Sequence, residues 1–112
     1  MEYEMTERTL TVFIEGELDH HTLRLVSQEV CGRIDLLLPK RLILDMHGVR
    51  FMDSSGIALV LKSLRRMREL SGDVVLRAVP PTPRRIFAMA GIDRYVILCA
   101  DEKLQKISGA ES

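Results

Sequence analysis

The chain has 112 residues, sixteen basic side chains against sixteen acidic ones, and 46% hydrophobic residues. That length supports one domain with one core, and balanced charge supplies no net field to draw nucleic acid. The longest apolar runs, such as Ile57–Leu61, fall far short of the ~20 residues a membrane-spanning helix needs, and the charged start MEYEMTERT does not read as a signal segment, so a cytoplasmic protein is expected.

Glu2–Met5 and Thr9–Gly16 read as a hairpin turning at Thr6-Glu7-Arg8, because Leu10, Val12 and Ile14 alternate with Thr9, Thr11, Phe13 and Glu15. Leu23, Val26, Val30, Ile34 and Leu37 then recur at helical spacing; Asp19 or His20 begins that helix, Asp19 being the better cap, and Pro39 ends it. Leu42–Met46 reads as a strand covered on both faces, interrupted only by Asp45 and followed by a polar turn.

Past that turn, Ile57, Val60, Leu61, Leu64, Met67 and Leu70 form the inward stripe of an amphipathic helix, with Lys62, Ser63, Arg65, Arg66, Arg68 and Glu69 outward. It stops at Ser71-Gly72, where glycine can take the left-handed conformation. Val74–Val79 is a further strand, closed by Pro80-Pro81. Thr82 caps a short helix with Pro83 at its first position, Ile86, Phe87 and Met89-Ala90 inward, and Gly91 as its stop.

Tyr95–Cys99 is the last strand, and Asp101 begins a final helix through Leu104 and Ile107, ahead of a frayed end. Strands alternating with helices from Leu42 onward require crossovers. The expected fold is therefore α/β: a mixed β-sheet, with an antiparallel N-terminal hairpin and parallel strands, packed with about four helices. Cys31 and Cys99 lie far apart inside apolar patterns, so two reduced, buried thiols are expected rather than a disulfide or metal site.

The chemistry is to be sought at Asp53-Ser54-Ser55-Gly56, which joins the central strand to its helix. A helix start leaves about four backbone N–H groups without partners and carries roughly half a positive charge, which favours an anion. Asp and Ser are also ordinary capping residues, and on composition alone capping those donors is the simpler account of them. Ser55 lacks a GxSxG elbow, and there is no GxxxxGK[ST] loop, no GxGxxG and no HExxH, so no catalytic residue and no cofactor is assigned.

A receiver-type phospho-acceptor aspartate fails on spacing. His20 and His21 are expected on different sides of a helix, which makes joint metal ligation awkward. The arginines Arg65, Arg66, Arg68, Arg84 and Arg85 read as charged outer faces.

Three stretches, GELDHHT at Gly16–Thr22, FMDSSG at Phe51–Gly56 and PRRIFAMAGI at Pro83–Ile92, resemble the anti-sigma factor antagonists of the STAS domain family. The likeness covers nearly the whole chain and is greatest to the branch of the sporulation sigma factor F switch. It implies a single STAS-like domain over residues 1–112 that acts as a binding protein rather than an enzyme.

In such a switch Ser55 is phosphorylated by an anti-sigma factor that is itself a serine kinase holding ATP or ADP, and a serine phosphatase resets it. Unmodified, the protein captures that kinase and releases the sigma factor. The resemblance also implies a partner surface of Asp19, His20, Asp53, Ser54, Gly56 and Ile57, with no metal and no cofactor. The choice of Ser55 over Ser54 comes from family correspondence and not from spacing.

Ile57-Ala58 departs from the Leu-Gly pair common in the family, and the following helix carries more arginine, which leaves partner specificity open. Two alternatives stand beside this reading: a STAS module of a stress-signalling complex with a different kinase partner, and a Ser55-dependent enzyme.

Overall fold

In the computed structural model, which describes residues 1–99, period-two alternation builds β1 (Glu2–Thr6) and β2 (Thr9–Leu18) into the expected antiparallel hairpin. Helix α1 (Leu23–Leu37), β3 (Arg41–Met52), α2 (Ser55–Glu69), β4 (Asp73–Arg77), α3 (Pro81–Met89), a single 3₁₀ turn at Ile92–Arg94 and β5 (Ile97–Cys99) follow in turn. The sheet order is β1-β2-β3-β4-β5, and every pairing after the first is parallel. The expected mixed sheet is therefore the observed one. Among the described residues there are three α-helices; the helix expected from Asp101 and the frayed end lie outside them.

One face of the sheet carries the main core. Leu10, Val12 and Ile14 of β2, Leu42, Leu44 and Met46 of β3, and Val74 and Leu76 of β4 pack there against Val30 and Ile34 of α1, Leu59, Val60, Leu64 and Met67 of α2, and Phe87 of α3. The other face holds a small cluster of Ile43, Val75 and Cys99. On that second face Asp45 is buried and paired with Arg77, its register partner on β4, whose Nε donates to Oδ2 at 2.8 Å. The break in the apolar strand is thus one half of an ion pair.

Several local expectations are corrected. Helix α1 begins at Leu23, later than Asp19 or His20, but Asp19 does cap the turn that leads into it: its Oδ1 accepts from His21 N at 3.0 Å and Thr22 N at 3.1 Å, and its carbonyl accepts from Leu23 N. The strand predicted to stop at Met46 runs on to Met52, replacing the polar turn, because Glu15–Leu18 of β2 pair with the Gly48–Met52 stretch. The pairing passes two register shifts, at each of which β3 carries one extra residue, with Gly16 of β2 at φ 82° beside the second.

Val60, Leu64 and Met67 of the expected stripe of α2 are buried and Ile57 and Leu70 are partly buried against the core, but Gly56, Leu59 and Ser63 are buried with them and Leu61 is not. Leu61 is 42% exposed, and Ser63 is buried because its hydroxyl donates to Leu59 O at 2.9 Å and needs no solvent. After α2 the left-handed residue is Ser71 at φ 58°, not Gly72. Gly72 is required by space, since a Cβ there would lie 2.6 Å from the carbonyl oxygen of Lys40.

Strand β4 ends at Arg77, two residues before the predicted Val79. Thr82 caps nothing: α3 starts at Pro81 with Pro80 as its N-cap, and prolines at the first turn have no N–H to leave unpaired. Met89 and Ala90 are exposed; Met89 follows buried Phe87 by two positions and so lies about 200° round the helix. Gly91, left-handed at φ 74°, does stop that helix. The last strand is shorter than Tyr95–Cys99 because a 3₁₀ turn precedes it. Cys99 is buried, Cys31 is half-buried, and they form no disulfide with each other.

Candidate functional site

Strands β2 and β3 are parallel neighbours with Leu18 opposite Met52, so the loops after them leave the same edge of the sheet side by side. The Asp53 N–H donates to Leu18 O at 3.2 Å, tying the two loops together. Asp19, which follows Leu18, and Asp53, which follows Met52, are therefore brought together although 34 residues separate them. Carboxyl ends of strands in open α/β sheets are where such folds commonly place binding sites.

The first loop is organised by Thr22 and Asp19. The Thr22 hydroxyl accepts from Asp19 N at 3.0 Å and donates to Glu17 O at 2.9 Å, while Asp19 Oδ1 takes the N–H groups named above. This reciprocal set explains GELDHHT as a turn that closes on itself. His20 and His21 are exposed in it, and their rings lie 3.9 Å apart at a 38° tilt, so they touch instead of diverging as expected of helical neighbours. Among the described residues no group of three or more His, Cys, Asp or Glu side chains could hold a metal ion.

The second loop starts α2. Ser55 is the first helical residue and half-buried, Ser54 is exposed, and neither serine side chain caps the helix. Asp53 does, with Oδ1 accepting from Ser55 N at 2.8 Å, while the N–H groups of Gly56 and Ile57 donate to Asp53 O and Ser54 O. The Ser55 N–H holds the Asp53 carboxyl below its ordinary value, helped by the Ser55 hydroxyl and by the charge of His20, against a smaller opposing effect of desolvation.

Gly56 is buried, and a Cβ there would come within 2.7 Å of Met52 Cγ. Its missing side chain makes room for Met52 beneath the helix start. Ile57 is half-buried and flanks the turn on α2. Asp53 thus touches Ser55, and Asp19, His20 and the exposed Ser54 lie on the two loops that leave this edge of the sheet.

A family profile described as the STAS domain matches residues 1–105. The chain belongs to the STAS domain family. An anti-sigma F factor antagonist from Lysinibacillus sphaericus is 29% identical over 99 residues, covering 88% of this STAS chain and 85% of its own. The solved anti-sigma factor antagonist SpoIIAA in its unphosphorylated form superposes with a TM-score of 0.75 at 26% identity, over 99% of this chain and 97% of that one. The Bacillus cell fate determinant SpoIIAA in its phosphorylated form gives 0.72 at 28% identity, over 96% and 97%.

Sequence reasoning on this STAS domain did not single out Thr22, whose hydroxyl shapes the first loop, or Met52, on which the turn rests. A Thr three residues after an Asp is a reciprocal-capping signal that was available in the sequence. Nothing local marks Met52, because its role depends on the missing Cβ of Gly56.

Proposed function

We propose that this STAS domain is a cytoplasmic anti-sigma factor antagonist switched by phosphorylation of Ser55. Unmodified, it docks an anti-sigma factor serine kinase carrying ATP or ADP and so frees a sigma factor, sigma F by likeness to its relatives. The observation that carries this reading is the position of Ser55: half-buried at the first turn of a 15-residue helix, its N–H covered by Asp53, its neighbours Asp19, His20, Ser54 and Ile57 at the same edge. The relatives named for anti-sigma antagonism, and a SpoIIAA structure in a phosphorylated form, support the same conclusion.

The electrostatics suit an interaction switch. A phosphate adds about −1.5 to −2 charges and three acceptor oxygens. The positive end of α2 accommodates that charge, so the fold survives. A kinase surface docked over the turn instead meets the phosphate beside Asp53 and Asp19. Like-charge repulsion and desolvation then weaken binding by about 2–5 kcal/mol. A serine phosphatase restores the unmodified form.

A nucleophilic role for Ser55 is disfavoured on the same geometry. The carboxylate nearest the serine is engaged by the Ser55 N–H and has its pKa lowered, which makes it a poorer base. Calorimetric titration of the anti-sigma kinase with the Ser55→Asp variant tests the proposal: affinity falls at least about thirtyfold, while the melting temperature stays at the parent value. Unchanged affinity, or a variant that loses affinity only because it unfolds, contradicts it.

A further inference from the structure

An open groove of about 650 Å³ runs between α1 and α2, a size within the range of small-molecule sites. Arg24 of α1 and Lys62, Arg65 and Arg66 of α2 line it, against one carboxylate, Asp35. Arg66 is occupied by an ion pair with Asp35. Arg24, Lys62 and Arg65 make no ion pair among the described residues.

Ser27, also lining the groove, is only 6% exposed, and its hydroxyl has no hydrogen-bond partner among the described residues. Buried hydroxyls are rarely left so, because burial without a partner is costly. Gly32 widens the groove one turn further along α1: a Cβ built there meets nothing within 4 Å, so neither packing nor backbone φ calls for glycine in mid-helix. Burial raises the pKa of the neighbouring Cys31 thiol, with Arg66 pulling the other way, so the thiol adds no negative charge to a lining whose other polar groups are His20, Gln28 and Asp35.

We propose that this groove binds a soluble small molecule bearing a phosphate monoester, its dianion held by Arg24, Lys62 and Arg65 and accepting a hydrogen bond from Ser27. Three uncompensated cations suit a doubly charged group better than a single carboxylate, and charge-assisted contacts of this kind are the strong ones. His20 lines the groove and also favours ionised Asp53, so the two sites share one residue. Ser55 itself does not line the groove.

The test is a heteronuclear NMR titration of the isotope-labelled 112-residue chain with glycerol 3-phosphate at constant ionic strength, with glycerol and sodium chloride as controls. Saturable shifts confined to the amides of α1 and α2 around Ser27 and Arg65 are expected. The double change Lys62→Ala with Arg65→Ala weakens affinity by about tenfold or more, and Ser27→Ala by about threefold. Gly32→Gln, which fills the groove without a steric clash at Cβ, abolishes saturation while the remaining spectrum stays that of the parent. Shifts that grow linearly and spread over all surface arginines, affinity unchanged in the double variant, or a response to phosphatidylglycerol vesicles but not to glycerol 3-phosphate would each overturn the proposal.

Discussion

Asp45 stands out in the sequence as the sole polar residue of an apolar strand, yet its partner Arg77 is 32 residues away and becomes visible only when β3 and β4 are placed in register. Both side chains are nearly inaccessible, at 7% and 8% exposure, so removing one leaves the other charged and unpaired. Asp45→Ala is expected to cost about 3–5 kcal/mol in urea unfolding, while replacing both residues with apolar ones of similar volume costs far less. At the α2 start, Asp, Ser and Ser were equivalent caps on composition, and the hydrogen bond to Ser55 N selects Asp53. Because the folded-state pKa of Asp53 is lowered, its contribution is fully present above the unfolded carboxylate value and disappears as pH falls through the lower folded one. Asp53→Asn is therefore expected to show a shallower acid-side loss of stability than the parent, read from melting temperatures across that range; parallel curves would contradict the assignment.

Strand and helix identities followed from periodicity wherever side-chain type and burial agree. The hairpin, the parallel strands and the existence of α1, α2 and α3 were legible for that reason. The failures have physical causes too. On α2 Ser63 is buried against expectation because it satisfies its hydroxyl within its own helix and so packs like an apolar residue, while Leu61 turns outward. The second half of β3 looked like a turn because His47, Arg50 and Phe51 are exposed and only Val49 and Met52 are buried, a pattern held extended by pairing with β2 and not by burial. The exit from α2 was read as a glycine in the left-handed region, whereas Ser71 takes that conformation and Gly72 answers to the Lys40 carbonyl. Gly72→Ala should thus destabilise by about 1–3 kcal/mol through a backbone clash, measured by denaturant midpoint at constant m; a neutral or stabilising result would contradict this account of the turn.

For the molecule as a whole, the parallel order of β2 and β3 is what turns two separate sequence motifs into one site. GELDHHT and FMDSSG share an edge because crossover α1 returns the chain beside β2, and the Asp53 N–H to Leu18 O bond locks their loops together. The resemblance of those motifs to a known family points to this edge from sequence alone. What it left open, namely why Gly56 is there and which acid covers the helix start, depends on packing and on hydrogen bonds. No helix among the described residues is long and apolar enough to cross a membrane. The central claim is that one hydroxyl at this edge governs docking, and phosphopeptide mass spectrometry reads it most directly. After incubation with an anti-sigma factor kinase that binds the chain, and with ATP, a single phosphate on Ser55 accompanied by release of the kinase is the predicted result. A phosphate on Ser54 or elsewhere, or no phosphate while the two proteins remain bound, would contradict it.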